Sequence, residues 1–499
     1  LISLNTNIQG GNIQGQRSDV TVYKVDGVRV RSLQSVPTRS IEEIQTITSG
    51  VPAKHGDATG GIVSITTKGP SSELRGSIDL LSSQFLDPYG FNQLEGNISG
   101  PIFKEYAGTD SASTKMGFMF GGDVTFQKDP RPTVIDHWVV KEDELDQLQE
   151  EPLVRNPRSL GFVSGASFIS KDEMEQVAVR PNVEQLNYNF TGKLTYSINE
   201  NMNLMAGGQY GTRNGTNYSR TSSMFNYNNY LENINTSYRG YLRFTQNFEN
   251  SEKQEGLNIK NAYYSIQVDY SRDHEIFQDP KFEDDFFKYG YYGSYDLQKA
   301  PSYVYTEDSV NGSLEEAYFM NGFIDTAVEF RQADINTTAG NFTEQYFRFQ
   351  DGDVQNFEQL RGAGGLLNGD DPQLVYSLWD DVGTPASVYQ EVDRETVSVN
   401  ASGSFDIGDH SFEMGIQYEQ LVRRGFFVNA RGLWTVMRQS ANSHIRQLDT
   451  DNPMPVYTED GTFTDTVNYQ RLNEGGQTTF DKRFRESQNA GPKQFLNVD

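Results

Sequence analysis

Residues 397–407 read Val-Ser-Val-Asn-Ala-Ser-Gly-Ser-Phe-Asp-Ile, and residues 412–419 read Phe-Glu-Met-Gly-Ile-Gln-Tyr-Glu. In the first run Val397, Val399, Ala401, Phe405 and Ile407 alternate with Ser398, Asn400, Ser402, Ser404 and Asp406. In the second, Phe412, Met414, Ile416 and Tyr418 alternate with Glu413, Gly415, Gln417 and Glu419. Successive side chains of a strand point to opposite faces, so this period of two predicts strands with one apolar and one polar face. Gly408-Asp409 between the runs predicts a tight turn, hence an antiparallel hairpin.

The same rhythm occupies 188–198, where Tyr188, Phe190, Leu194, Tyr196 and Ile198 alternate with Asn189, Thr191, Lys193, Thr195 and Ser197. Gly192 falls on the apolar face. Asn199-Glu200-Asn201 turns the chain, and Leu204, Ala206, Gly208 and Tyr210 begin the return. Further strands are expected at 76–85, 93–103, 116–126, 238–248 and 262–270, with others inside 317–350 and 422–438. That makes roughly ten to twelve in all.

Periodicity alone fits either a half-exposed soluble sheet, whose polar face meets water, or a membrane barrel, whose polar face lines a lumen. The spacing between runs distinguishes them. The turns at 199–203 and 407–410 are short, and they alternate with the long irregular stretches 127–186, 211–237 and 271–396. Short turns on one side and long loops on the other is the arrangement of outer-membrane barrels. Compact soluble domains seldom hold such loops.

Composition agrees. The 499 residues include 27 Tyr and 31 Phe, yet only 35% are hydrophobic, and the mean hydropathy is −0.64. No apolar run is long enough for a transmembrane helix, which a barrel does not use. Cysteine is absent, which excludes disulfides and thiolate metal sites. A net charge of −26 argues against nucleic acid as a partner, since phosphate binding needs a basic surface. No basic segment followed by an apolar core opens the chain, so Leu1 is expected to lie inside a longer precursor.

The stretch 20–68 departs from the barrel rhythm. Val20 to Arg31 is β-rich and interrupted by Asp26-Gly27, a hairpin-turn dipeptide. Ser40-Ile41-Glu42-Glu43-Ile44 follows, where Ser40 and Glu43 have the spacing of a capping box and predict a short helix. Residues 45–48 read as a short strand. Gly50, Gly56, Gly60 and Gly61 punctuate a loop, and 62–68 returns to strand.

Taken in order, Val25-Asp26-Gly27, Ile41-Glu42-Glu43-Ile44, His55-Gly56, Gly60-Gly61-Ile62-Val63-Ser64-Ile65 and Thr66-Thr67-Lys68 resemble the C-terminal half of the plug of TonB-dependent outer-membrane receptors. The match covers about residues 20–70. His55 stands where the family commonly has tyrosine. Ala58-Thr59-Gly60-Gly61 and Lys68-Gly69-Pro70 look most like Bacteroidota receptors, at some distance from the SusC glycan importers.

The resemblance implies an all-β-dominated protein: a transmembrane antiparallel barrel, of about 22 strands when complete, with a small α+β plug in its lumen. Residues 1–72 are then the C-terminal part of the plug and 73–499 a partial barrel with long extracellular loops. It implies import of a surface-captured ligand (oligosaccharide, peptide or metal chelate) across the outer membrane of a Gram-negative bacterium. The partners implied are the TonB–ExbB–ExbD energising complex, outer-membrane lipid, and a SusD-like or other surface lipoprotein. The plug residues so marked are Asp26, Gly27, Ile41, Glu42, Ile44, Gly50, Gly56, Gly60, Gly61 and Thr67. Each also has a structural explanation, since glycines permit close packing and glutamates cap or contact the wall. A second reading keeps the barrel but makes it a non-transporting structural subunit of an outer-membrane assembly or secretion complex. A third, a soluble secreted adhesin or carbohydrate enzyme, is opposed by the plug motif.

Nothing in the sequence marks catalysis. His55, His137, His274, His410 and His444 stand singly, with no His-x-x-x-His or Gly-x-Ser-x-Gly pattern. Gly362-Ala363-Gly364-Gly365 lacks the Lys-Ser/Thr of a phosphate loop. Glu283-Asp284-Asp285, Asp370-Asp371 and Asp380-Asp381 cluster oxygens suited to Ca2+, with solvated loops as the plainer explanation. The loops also hold Trp138, Phe286, Phe287, Tyr289, Tyr291, Tyr292 and Trp379. Read as exposed, these aromatics offer large contact area for a ligand or partner lipoprotein. Phe286 to Tyr292 is the sharper candidate, with acidic residues before it and Gly290 and Gly293 loosening it.

Overall fold

The computed structural model describes residues 8–9, 12–13, 21–30, 36–48, 61–105, 113–158, 161–248, 259–310, 312–473 and 475–499. The chain is mostly β, and none of the described helices is long and apolar enough to cross a membrane.

A small sheet comes first. β1 (Val22–Val25) and β2 (Val28–Val30) form the expected hairpin, with Asp26 at φ 50° and Gly27 at φ 85°. Positive φ at both central residues is the type I′ signature that matches strand twist. β3 (Ile41–Ile47) and β4 (Ile62–Thr67) complete the order β2-β1-β4-β3, with β1 and β4 parallel. Val25, Val28, Ile62 and Val63 are its buried apolar residues.

The expected helix at Ser40 is not formed. Thr38–Ser40 is a single 3-10 turn, and Ile41 to Ile47 pairs antiparallel with β4. The β-branched Ile41, Ile44, Thr46 and Ile47 suit a pleated surface, and pairing with β4 outweighs a local cap.

The wall is one nine-stranded antiparallel sheet. Its strands are β5 (Arg75–Ser82), β6 (Asn92–Glu105), β7 (Ser113–Gln127), β8 (Gln185–Asn199), β9 (Met202–Asn217), β10 (Leu231–Asn247), β11 (Ile259–Gln278), β14 (Tyr389–Ile407) and β15 (His410–Val428). Each pairs with the next in that order, leaving β5 and β15 as the edges. Both hairpins read from alternation are present, with Leu194 opposite Ala206 and Ala401 opposite Ile416.

The strands run further than the apolar rhythm. β9 continues to Asn217, β10 restarts at Leu231 and β11 reaches Gln278, so the supposed loops 211–237 and 271–396 contain much strand. A bilayer needs only about 9–11 residues of a tilted strand. In these extensions apolar alternation lapses, and cross-strand pairs such as Arg272–Asp393 and Arg394–Glu275 support the backbone ladder.

The long connections fold together into a cap. β12 (Gly293–Val310) and β13 (Ser313–Gln332) form a hairpin outside the wall. Against it pack α1 (Glu142–Glu150), α2 (Thr337–Phe349) and α3 (Phe357–Gly362). In α2 the buried residues include Ala339, Phe342, Thr343 and Tyr346, the i, i+3, i+4, i+7 stripe of an amphipathic helix. With Leu145, Leu148, Leu360, Leu367, Tyr292 and Tyr295 they make one hydrophobic core. These stretches are thus folded, which corrects the irregular-loop expectation. The region 317–350 divides into strand and helix, and 422–438 is strand to Val428 and helix from Gly432.

Candidate functional site

Burial across the wall is inverted relative to a soluble sheet. Glu95, Asp123, Lys193, Arg239, Gln267 and Asp269 are buried, while Ile78, Leu242, Val268 and Ile416 are exposed. The buried polar positions share one face by the period of two, and the small sheet lies against that face. Exposed Tyr210, Tyr238 and Tyr270 occupy adjacent strands on the other.

Asp26 is the centre of the junction. Its Oδ1 accepts the Thr67 N–H at 3.0 Å and Lys193 Nζ at 2.9 Å. Its Oδ2 accepts the Thr67 hydroxyl at 2.9 Å and the Tyr241 hydroxyl at 3.2 Å. Lys193 Nζ also donates to the Thr67 carbonyl at 2.7 Å. Thus β8 and β10 of the wall grip the hairpin turn and the end of β4 through one buried carboxylate. Two arginines of β10 extend the grip. Arg239 donates to the Val25 carbonyl at 3.1 Å and to Asp269 at 2.6 Å, and Arg243 to the Asp26 carbonyl and, at 2.6 Å, to Gln267. Arg39 pairs with Asp79 at 2.8 Å, and its backbone N–H bonds the Glu95 carboxylate.

Two wall glycines admit this docking. A Cβ at Gly121 would overlap the Ser40 side chain, and one at Gly207 would overlap the Tyr241 ring that reaches Asp26. Ser40, which sequence spacing marks as a cap, therefore packs against the wall.

Of the plug-motif residues, the structure brings Asp26, Gly27 and Thr67 to the junction. Ile41, Glu42 and Ile44 lie along β3, with Glu42 exposed, and Gly61 is buried at φ 115° beside Val22. Gly50, Gly56, Gly60 and His55 lie outside the described residues. Sequence reasoning did not single out Lys193, Arg239, Tyr241 or Arg243. The available signal was a charge on the polar face in mid-strand, as at Lys193 within 188–198.

The loop aromatics are placed differently from one another. Tyr289 and Tyr292 are fully buried, which corrects their reading as exposed. Tyr289 donates to the Glu283 carbonyl at 2.6 Å and Tyr292 to the Asp370 carbonyl at 2.5 Å. Phe286 packs edge-on to Tyr389, Tyr291 stacks on Trp434 at 5.6 Å, and Trp379 packs against the cap core. Phe287 is exposed, and so is Trp138, with Lys171 over its ring. Gly290 and Gly293 tighten the segment rather than loosen it, for each lies against neighbouring backbone, at Gly369 and Arg331.

The acidic pairs are mostly engaged. Asp285 pairs with Lys288, Asp370 with Arg361, and Asp371 with Arg431. Asp380 accepts the hydroxyls of Thr221 at 2.9 Å and Ser222 at 2.6 Å. Asp381 is fully buried; its Oδ1 accepts the Val382 N–H at 2.8 Å, and its Oδ2 has no well-formed partner. Burial pushes its carboxyl up to about 6, against the weaker pull of Ser164 and that N–H. Among the described residues, His274, Glu391 and Asp393 alone bring three ligand-type side chains together. They lie on the outer face of β11 and β14, where Asp393 already binds Arg272 at 2.6 Å.

No model of a known protein family matches the chain. Over 114 residues, 19% of the chain, it is 30% identical to the probable TonB-dependent siderophore receptor PirA of Acinetobacter baumannii, covering 15% of that protein. Among solved structures it is similar to the copper transporter OprC, with 9% identity and a TM-score of 0.39, over 83% of this chain and 40% of that one. It is also similar to the siderophore receptor PirA from Acinetobacter baumannii, with 12% identity and a TM-score of 0.34, over 83% of this chain and 51% of the other. The chain spans only part of the length of each protein it matches.

Proposed function

We propose that this chain is the plug–barrel portion of a TonB-dependent transporter in the outer membrane of a Gram-negative bacterium. The observation that carries the reading is the inverted burial: charged residues are covered by a small sheet while apolar residues stand exposed on the opposite face. In water that arrangement is costly. In a bilayer it is favourable, with lipid outside and a plugged polar lumen inside. The plug motif and the partial similarity to a TonB-dependent siderophore receptor support the same assignment. The activity is transport rather than catalysis. A surface ligand enters at the cap, and the TonB–ExbB–ExbD complex drives displacement of the plug from the periplasm. A surface lipoprotein of the SusD type is a compatible partner for the cap.

A ligand-free experiment tests the plug. In the full-length protein, deleting 21–67 should convert a non-conducting barrel into an open channel in planar bilayers. Unchanged conductance would mean that this segment seals nothing. A reversible tether then separates transport from a structural role. Ser40 and Asn97 both approach Gly121, so cysteines at those two positions should crosslink. A plug that must move for a cellular phenotype gives a defect relieved by reduction. A permanently seated plug gives none.

A further inference from the structure

A cavity of about 490 Å³, lined by polar and apolar side chains together, lies where the outer ends of β9, β10 and β11 meet the cap. Asn217, Leu231 and Phe277 reach it from the wall, and Ser219, Asn226, Asn229, Tyr230, Asp371, Asp380 and Ser387 from the connecting segments. Phe277 lies on the same face of β11 as Gln267 and Asp269, by the period of two. The cavity therefore opens on the polar side of the wall, beyond the small sheet. Its volume is within the ordinary range of ligand pockets.

We infer that this cavity binds a neutral polyhydroxylated ligand, of the oligosaccharide class. The inference rests on the reading of the polar face as a lumen and names the ligand class for it. The lining is dense in amides and hydroxyls, groups that both donate and accept and so complement sugar hydroxyls. Asp380 Oδ2 already accepts two hydroxyls from the chain. Its Oδ1 makes no hydrogen bond among the described residues, and the residue lines the cavity. Tyr230 is held in place: its ring lies 5.8 Å from Tyr218, which lies under Arg180, itself bound to Asp129.

Charge selects against the alternatives. Among the described residues of the lining Arg431 is the one cation, and its guanidinium is taken by Asp371. An anionic chelate would meet Asp380 and Asp371 with no unpaired cation among the lining residues to offset them, and like charges in contact are strongly disfavoured. A cationic ligand would find Asp380 already accepting two hydroxyls of the chain and Asp371 already paired with Arg431.

The test is calorimetric titration of the full-length protein in detergent. The probes are neutral hexasaccharides of α-glucan, β-glucan and mannan type, a trianionic ferric catecholate, and hexalysine. At least one neutral oligosaccharide should bind, in preference to both charged probes. Asp380→Asn and, independently, Asn229→Ala should each weaken it about ten-fold, as for loss of a hydrogen bond in a partly buried site. Preference for the ferric complex or hexalysine, failure of every oligosaccharide, or unchanged affinity in both Asp380→Asn and Asn229→Ala would overturn the inference. Binding needs no energised cycle, so such a failure leaves the plugged-transporter reading standing. Retained binding with an unplugged channel that does not conduct would instead remove the transporter reading.

Discussion

In the wall, the side chains withdrawn from solvent are Glu95, Asp123, Lys193, Arg239 and Asp269, and Ile78, Leu242 and Ile416 face outward. In the cap, Tyr292, Phe342, Leu360 and Leu367 are withdrawn, and Asp143 and Asp146 of α1 face outward. One chain thus carries two burial rules. The cap obeys the rule for water, with apolar contact as its main stabilising term. The wall obeys the rule for a surface in lipid, so its covered face is held by hydrogen bonds and charge pairs.

The largest effect that would break this comparison lies at the junction. Asp26→Ala leaves Lys193 buried without its carboxylate, and such a change costs about 3–5 kcal/mol. Hydrogen exchange across 62–67 should rise sharply in this variant. Adding Lys193→Met should restore much of the protection, because a matched apolar pair avoids the stranded charge. If Asp26→Ala leaves exchange unchanged, the polar junction does not hold the small sheet.

Next comes the cap. Leu360 is fully buried in its core, so Leu360→Ala should destabilise the cap by about 2–5 kcal/mol. The three tryptophans, Trp138, Trp379 and Trp434, all lie outside the wall strands, so their fluorescence reports on the cap. Their unfolding midpoint should fall while the far-ultraviolet β signal of the wall persists. Simultaneous loss of both signals would mean that cap and wall are one cooperative unit.

A third contrast is internal to the wall. Ile416 is 77% exposed on β15. In a membrane-folding assay, Ile416→Arg should cost about 2–4 kcal/mol near the midplane, and Gln417→Arg, on the polar face, much less. Equal tolerance would sink the assignment of the apolar face to lipid.

The same contrast explains what could be read in advance. The 188–198 and 397–419 hairpins were legible because each wall strand sorts its residues between two environments, and that sorting leaves a period of two. Asp26-Gly27 was legible because the turn needs positive φ at both residues. The cap was not. Its core joins Leu145, Tyr292, Phe342 and Leu360, which are far apart in sequence, and the helical stripe of α2 lies within 317–350, where strands were expected. Buried Tyr289 and Tyr292 looked like exposed anchors because an aromatic residue in an unpatterned stretch carries no sign of its own burial. At the candidate site, Asp26 and Thr67 were marked by motif. Their partners Lys193, Tyr241 and Arg243 were only polar-face residues until the wall curved them onto the small sheet. Gly121 and Gly207 record the docking most directly, yet in sequence they are two glycines among 46.

The smallest expected effect is a pH dependence confined to the cap. Asp381 lies in the loop region between α3 and β14, and burial pushes its carboxyl from 3.8 up to about 6. The folded cap therefore favours the protonated acid. Its contribution to stability is fully present below about pH 4 and is lost as pH rises through about 6. A rise of that size corresponds to at most about 3 kcal/mol. This is opposite in sign to the usual acid denaturation, in which paired carboxylates lose stability as pH falls. Asp129 follows that usual course: burial alone would raise its carboxyl, but Arg180 and two backbone N–H groups hold it below the ordinary range. Its contribution is present above about pH 4 and lost on further acidification, so the two windows overlap little. Asp381→Asn removes the charge, and its carboxamide oxygen can still accept the Val382 N–H. By tryptophan fluorescence, the wild-type cap should lose stability between about pH 4 and 6, and the variant should show a flatter profile and a higher midpoint at about pH 7.5. A wild-type midpoint that rises steadily over that interval, matched by the variant, would show that Asp381 is ionised in the folded cap without penalty.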